Sequence, residues 1–209
     1  MNAEMQLQAT PDSGNQIASY DRVLKGVHWG SLLLVATSYA AVWSSHLVAS
    51  RERAVLLVQL HRSVGVTILA LTLFRLAWRW SAQIPSLPAE LPTIQKLAAR
   101  ATEYALYALL LAQPVLGILH TNARGRRVEY FFIGQLPPIV GPDRVLAKQA
   151  RTAHEVVGYL LLALIAMHAA AALFHHFIRR DDVLNAMLPK QAPLSRRGNA
   201  PLAWRNKAF

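Results

Sequence analysis

The sequence predicts an all-α integral membrane protein, a four-helix bundle, from two observations. The 209 residues are 54% hydrophobic, and the apolar residues form long blocks rather than the alternation of a soluble domain. Four blocks reach the roughly 20 apolar residues that cross a bilayer: 26–46, 55–79, 101–121 and 152–178. Because a backbone in lipid must satisfy its own hydrogen bonds, each block is expected to be a helix.

Polar segments flank and separate these blocks. We expect a polar N-terminal extension over 1–20, a transmembrane domain over 21–188 and a basic tail over 189–209. The extension lacks the basic-then-apolar order of a cleavable signal, so the first span is expected to act as an uncleaved insertion signal. The chain contains no cysteine. This excludes disulfides, iron–sulfur clusters and covalently attached c-type haem, so a redox cofactor must be held non-covalently.

The distribution of Lys and Arg predicts the orientation. The N-terminal segment, the second connection with its helix ends, and the tail hold 13 of the 22 Lys and Arg residues. The positive-inside rule therefore places both termini in the cytoplasm. The third connection, 122–151, then faces the periplasm with a net charge of +4, from Arg124, Arg126, Arg127, Arg144, Lys148 and Arg151 against Glu129 and Asp143. Such a run is either a solvated loop or a surface that attracts anions.

Four histidines within the apolar blocks are the candidate functional residues. His28 begins the first span, His61 lies two turns into the second, and His154 and His168 belong to the fourth. Because successive spans alternate in direction, His28 and His168 fall on the cytoplasmic side, and His61 and His154 on the periplasmic side. Ionisable residues in spans are rare and usually functional, although interhelical hydrogen bonding is the alternative for each.

Two opposed pairs at different depths favour haem over zinc. A structural zinc site needs four ligands at one point, whereas iron porphyrin supplies four nitrogens and needs only two axial ligands. His154 and His168 share a helix face about 21 Å apart, which leaves room for two stacked cofactors. We predict two b haems, the inner one on His28 and His168 and the outer one on His61 and His154. Interfacial roles are favoured for the histidines at helix ends: His46, His120, His175 and His176.

Neighbouring residues are candidate contacts for these cofactors. Gly65 and Gly158 each follow a predicted ligand by four residues and would let a flat macrocycle approach the backbone. Small-residue helix packing is the alternative explanation. Arg75 and Arg62 are predicted to pair with the propionates of the inner and outer haem, respectively. The side chains of Arg22 and Arg79 are expected to extend to lipid headgroups instead.

Several segments resemble one family. "YDRVLKGVHW", "LHRSVG", "FRLAWR" and "HEVVGYLLLALIAMHAAAALFHHFIRRDDVLNAMLP" are similar to the bacterial cytochrome b561 family, in its small dihaem, superoxide oxidase-like branch, over about residues 20–189. The resemblance implies a cytochrome b domain with two bis-histidine b haems, in which His28 pairs with His168 and His61 with His154. It further implies a superoxide:ubiquinone oxidoreductase of the bacterial inner membrane. The basic third connection matches the family pattern only loosely. Within it, Arg124, Arg126 and Arg127 are predicted to attract superoxide.

Two other functions fit the same residues. The chain could be a haem-bearing membrane anchor subunit that relays electrons between the quinone pool and a partner dehydrogenase, hydrogenase or soluble cytochrome. A basic third connection would suit docking of an acidic partner. A haemless transporter with histidine proton relays is the third class, and the matched depths of the pairs disfavour it.

Overall fold

The structure is a computed structural model, and it describes residues 19–82, 84–85 and 91–189. Four long helices form most of it: α1 (Arg22–Leu47), α2 (Arg51–Ser81), α3 (Thr93–Ala123) and α4 (Arg144–Phe174). A π-helical turn, His175–Arg179, continues α4. A small antiparallel hairpin of β1 (Glu129–Tyr130) and β2 (Gly134–Gln135) lies between α3 and α4. Almost all of the predicted N-terminal extension and basic tail lies outside the described residues.

Side-chain caps set the starts of three helices. Asp21 accepts a hydrogen bond from the Leu24 amide at 2.8 Å, and Ser50 caps α2 in the same way. Asp143 accepts from two amides in the first turn of α4. A polar cap of this kind satisfies amides that have no partner within the helix.

The helices extend beyond the predicted spans, most clearly where α3 and α4 begin. We expected these spans to start at 101 and 152, but the helices start at Thr93 and Arg144. The prediction measured apolar length, which corresponds to the hydrocarbon thickness alone. A helix can continue as polar turns into the interface, so a third of the predicted third connection, 122–123 and 144–151, is helical.

In the part of the chain that the structure describes, three segments are long and apolar enough to cross a membrane: α2, α3 and α4 with its π turn (Arg144–Arg179). The remaining long helix, α1, has 26 residues and carries polar side chains at His28, Ser31, Thr37 and Ser38. These polar positions lower its hydropathy, and two of them, Ser31 and Ser38, are buried against the rest of the protein. The structure thus contains four long helices, of which three meet a membrane criterion by composition.

The four helices form two packed pairs, and the backbone of α4 stays apart from those of α1 and α2. α1 packs on α2, α3 packs on α4, and α2 links the two packed pairs through α3. Among the described residues, no Cα of α4 approaches within 8 Å of a Cα of α1 or α2. A buried apolar cluster of Val35, Val64 and Ile68, with Leu110 and Ile165 against it, fills the middle of the bundle.

The segment after α4 returns to the start of α1. The Lys25 ammonium is buried and donates hydrogen bonds of 2.7 Å to the Leu188 carbonyl and the Ser19 hydroxyl. The Trp29 indole donates to the Met187 carbonyl at 3.1 Å. These bonds hold the end of α4 near the start of α1, where backbone packing between the two helices is lacking.

Candidate functional site: two histidine pairs between the helices

The outer pair joins α2 and α4. The ring centroids of His61 and His154 are 6.0 Å apart, and the ring planes are almost perpendicular. His61 lies in the third turn of α2 and His154 in the third turn of α4, so both are near the third connection. Alternating helix direction therefore brings together the two residues that the sequence predicted at this depth.

The inner pair joins α1 and α4 at the opposite end of the bundle. The ring centroids of His28 and His168 are 6.2 Å apart. Val35 follows His28 by about two turns, Ile68 follows His61 by about two turns, and Ile165 precedes His168 by less than one. The apolar cluster that contains these residues consequently lies between the two histidine pairs.

The spacing within each pair fits one metal between two imidazoles. An imidazole nitrogen lies about 2 Å from a transition metal that it binds, so two imidazoles on opposite sides of one ion have centroids about 6 Å apart. Both pairs have this separation, although the backbones of the helices that carry them stay apart. Within the described ranges, no group of three or more His, Cys, Asp or Glu side chains could hold a metal ion. Each pair therefore offers two axial ligands, the number that an iron porphyrin requires.

Hydrogen bonds fix the orientation of both outer imidazoles. The Nδ1 atom of His61 is 2.9 Å from both the carbonyl and the hydroxyl oxygen of Ser38. The Nδ1 atom of His154 is 2.9 Å from the Gln113 carbonyl. A carbonyl can only accept, so each Nδ1 carries the proton and each Nε2 keeps its lone pair. At His154 this Nε2 accepts a 3.3 Å hydrogen bond from the Gln113 side-chain amide, which a metal bound there would displace. This arrangement, common among metal-bound histidines, fits the donor set to a b-type haem.

Arg75 lies beside the inner pair. Its Nη1 atom is 3.3 Å from Nδ1 of His28, and its guanidinium carbon lies 5.5 Å from the centre of the Tyr107 ring. Its Nε atom is buried and has no hydrogen-bond partner in the described part of the chain. A half-buried cation with an unpaired donor is costly unless an anion satisfies it, and a haem propionate would supply that anion. His168, by contrast, is exposed.

The two glycines near the ligands have different surroundings. A Cβ atom added at Gly65 would meet nothing within 4 Å, which leaves space for a cofactor. A Cβ atom at Gly158 would lie 3.0 Å from the Gln113 side chain, and the Gly158 carbonyl accepts a 2.5 Å hydrogen bond from Tyr39. The geometry at Gly158 therefore favours close helix packing over the access to a macrocycle that we expected.

One predicted lipid contact is wrong. Arg79 does not extend to a headgroup but forms an ion pair with Glu103 of α3, through both ends of its guanidinium. Both residues lie inside predicted spans, but apolar length does not show which side chains of neighbouring helices face each other, so the sequence did not reveal this pair. Arg22 is exposed, as a side chain directed to headgroups would be.

The remaining histidines have other surroundings. His120 donates from Nδ1 to the Ala147 carbonyl at 2.9 Å, and His175 lies 2.6 Å from the carboxylate of Asp181. His46 is exposed at the end of α1, and His176 contacts the ring of Phe177. None of these four forms a histidine pair comparable to the two between the helices within the described residues.

The basic residues of the third connection divide between two cavities. Arg126 and Arg127 line a cavity of about 350 Å³ together with Arg62 and Glu129. Arg124 instead lines a second cavity of about 680 Å³, with Arg144, Lys148 and Arg151. The first lies at the depth of the outer pair, because Arg62 directly follows His61 along α2. The three arginines that we grouped from the sequence thus belong to two surfaces.

Sequence reasoning missed the residues that position the outer ligands. Ser38 and Gln113 accept the hydrogen bonds from His61 and His154, and Tyr39 bonds the Gly158 carbonyl. All three are polar residues inside apolar blocks, and this position could have identified them as candidates. Two of the accepting atoms are backbone carbonyls, however, which no side-chain pattern can identify.

Comparison with known proteins gives a consistent family assignment. Residues 19–190 match the family described as prokaryotic cytochrome b561. The chain is 32% identical to "Cytochrome b561 homolog 1" of Escherichia coli (strain K12) over 167 residues, 79% of this chain and 94% of that protein. It is 31% identical to "Cytochrome b561 homolog 2" of the same organism over 175 residues, 83% of this chain and 93% of that protein.

A third relative carries a more specific name. The chain is 29% identical to "Probable superoxide oxidase CybB" of Yersinia pestis over 168 residues, 79% of this chain and 93% of that protein. Membership of a b-type cytochrome family implies b-type haem and electron transfer in a membrane, in agreement with the apolar helices and the paired histidines. The chain belongs to the prokaryotic cytochrome b561 family.

Proposed function

We propose that this chain is a dihaem superoxide:ubiquinone oxidoreductase of the bacterial inner membrane. Two superoxide anions each give up one electron and become dioxygen. One ubiquinone takes both electrons and two protons and becomes ubiquinol, so atoms and charge balance. The observation that carries the proposal is the pair of histidine sites, at opposite ends of the bundle with an apolar cluster between them.

In this proposal all four helices span the membrane with both termini in the cytoplasm. α1 is included because it packs along α2, which itself is of membrane length and apolarity. The outer pair and the third connection then lie toward the periplasm. When bound, the two b haems supply one-electron carriers on the two sides of the membrane.

The residues of this chain hold and orient those carriers and attract the substrate. Ser38 and Gln113 fix the outer imidazoles, so their Nε2 atoms are directed before the cofactor arrives. Arg75 is positioned to neutralise an inner propionate. Arg62, Arg126 and Arg127 form the cationic cavity at the depth of the outer pair, where a small anion would be concentrated.

Cofactor content is the first expected result. The purified chain should contain two b haems, extractable by acidic organic solvent because no cysteine tethers them. The measurement is the pyridine haemochrome spectrum per mole of protein after full haem loading. A single haem per chain would contradict the two-site proposal, and a colourless protein would favour the transporter function.

The activity itself is tested without a partner. The purified holoprotein should reduce ubiquinone when superoxide is generated in the same solution, with dioxygen evolved and no other protein present. The control is the same mixture with superoxide dismutase, which removes the donor. If haem reduction by superoxide is no faster than in a haem-loaded control cytochrome, the superoxide proposal fails.

Ser38 provides a test of ligand positioning. In Ser38→Ala, His61 loses the hydroxyl contact and keeps the carbonyl acceptor. The weaker hydrogen bonding makes the imidazole less electron-donating and should raise the midpoint potential of the outer haem. A change of about 1 kcal/mol corresponds to roughly 40 mV for one electron. Redox titration should show this rise in one haem only. The control, Ser45→Ala, lies on the same helix away from both pairs and should shift neither potential.

The anchor-subunit function is the second candidate, and one observation favours it. The hairpin tip exposes Phe132 and Ile133, at 95% and 82% of their surfaces. Exposed apolar side chains beside basic residues are typical of a protein-docking surface. Co-purification of a dehydrogenase or hydrogenase that is lost in Phe132→Ser, together with absent superoxide activity, would favour this function.

A further inference from the structure

We infer that the second cavity of the third connection binds the phosphodiester headgroup of an anionic phospholipid. The cavity has a volume of about 680 Å³ and lies between the end of α3 and the start of α4. Its cationic lining consists of Arg124, Arg144, Lys148 and Arg151. The inference does not depend on the superoxide proposal, since it concerns a different surface.

The charges of this cavity are largely uncompensated. Asp143, the one carboxylate among its described lining residues, uses one oxygen to cap α4 and accepts from the amides of Val145 and Leu146. Arg151 pairs with Glu155 at 2.8 Å, but Arg124, Arg144 and Lys148 have no ion pair with any described residue. Three cations close together repel one another, and an anion between them would relieve that repulsion.

The walls of the cavity are fixed by hydrogen bonds between the two helix ends. His120 in the last turn of α3 bonds the Ala147 carbonyl in the first turn of α4, at 2.9 Å. The Asp143 amide donates to the Ala123 carbonyl, also at 2.9 Å. The cationic side chains therefore project from a rigid base, which lowers the entropy cost of holding a ligand.

The position along α4 favours a lipid over a soluble phosphate. Arg144, Lys148 and Arg151 recur at intervals of four and three residues, so they share one face of the helix. Tyr159, eleven residues after Lys148, lies on the same face about 16 Å further along the axis, and it is 69% exposed. Glu155 lies between the cations and Tyr159 on this face but is paired with Arg151. A headgroup at the cations would place its acyl chains beyond it, beside the exposed side chains of Val156, Tyr159 and Leu160. Basic pockets between membrane helices bind anionic headgroups in this way.

The test compares lipids on matched variants of the haem-loaded protein in detergent. Phosphatidylglycerol is titrated against phosphatidylcholine, and binding is followed by native mass spectrometry. The test variant is Arg144→Gln with Lys148→Gln. The control is Arg51→Gln with Arg53→Gln, which removes two exposed charges from the same end of the bundle. If the double variant does not fold, Lys148→Gln is compared with Arg51→Gln, and unchanged haem spectra establish folding in each case.

We expect wild type and control to retain phosphatidylglycerol in preference to phosphatidylcholine. The test variant should bind it roughly tenfold more weakly. Equal binding by test and control variants would overturn the inference, as would equal retention of the two lipids. In the last measurement, inorganic phosphate is added as a competitor of the bound phosphatidylglycerol. If it displaces phosphatidylglycerol at comparable concentration, the cavity is a site for a soluble anion, and the lipid assignment is wrong.

Discussion

Replacing His61 or His154 with alanine should remove the same haem, and replacing His28 or His168 should remove the other. The ring centroids are 6.2 Å apart in the inner pair and 6.0 Å apart in the outer pair, a separation at which two imidazoles could bind one metal. Loss of either imidazole would therefore leave a bound haem with only one histidine ligand. The b-haem absorbance per chain should fall by roughly half in each variant. The measurement is the low-temperature reduced-minus-oxidised spectrum, in which the two haems are distinguished by band position.

Added imidazole separates ligand loss from misfolding. It should restore part of the missing absorbance in an alanine variant, because the small molecule can occupy the vacated axial position. His46→Ala, which alters an exposed histidine at a helix end, should retain both haems, as should His175→Ala. The pairing is refuted if His61→Ala and His28→Ala lose the same spectral component.

The pairing was accessible from the sequence because it depends on few physical rules. Apolar length gave the four helices, and alternation of direction then placed His28 at the depth of His168 and His61 at the depth of His154. The rules fail at the helix ends, where polarity no longer distinguishes helix from loop. This is why the first two turns of α4 were missed. The Arg79–Glu103 pair was missed for another reason, because apolar length does not show which side chains of two helices face each other.

The charge of the third connection allowed fewer predictions about the site than the apolar pattern allowed about the fold. The sequence shows that the third connection is basic, but the side on which each charge lies depends on the path of the chain between α3 and α4. Gly125 takes a φ of +74°, a conformation that suits glycine. Arg124 on one side of this turn and Arg126 on the other line different cavities. Three arginines within four residues consequently have separate roles in our proposals.

Because Arg126 and Arg127 line the first cavity and Arg124 the second, the variant expected to slow superoxide oxidation is the one that changes Arg126 and Arg127. Arg126→Gln with Arg127→Gln should slow haem reduction by superoxide, because both residues line the cavity that contains Arg62, at the depth of the outer pair. A cationic cleft raises the encounter rate of a small anion by roughly 10 to 1000-fold. Removing two of its three arginines should cost about tenfold at low salt. Both haem spectra should stay unchanged, since neither side chain belongs to a histidine pair. The measurement is stopped-flow or pulse-radiolysis delivery of superoxide, followed at the haem absorbance.

Salt provides the independent check on this steering effect. The Debye length falls from about 10 Å at 0.1 M to about 3 Å at 1 M ionic strength, so the wild-type rate should decrease steeply while the variant rate changes little. Arg22→Gln with Arg100→Gln removes two exposed charges from the opposite end of the bundle and should keep the wild-type salt dependence. Adding Arg124→Gln to the test variant should slow the reaction further by less than either of the first two changes, because Arg124 lines the second cavity and acts on the first only through its charge. Identical rates and salt slopes in wild type and test variant would assign these arginines to a protein partner, and the anchor-subunit function would then account better for the basic surface.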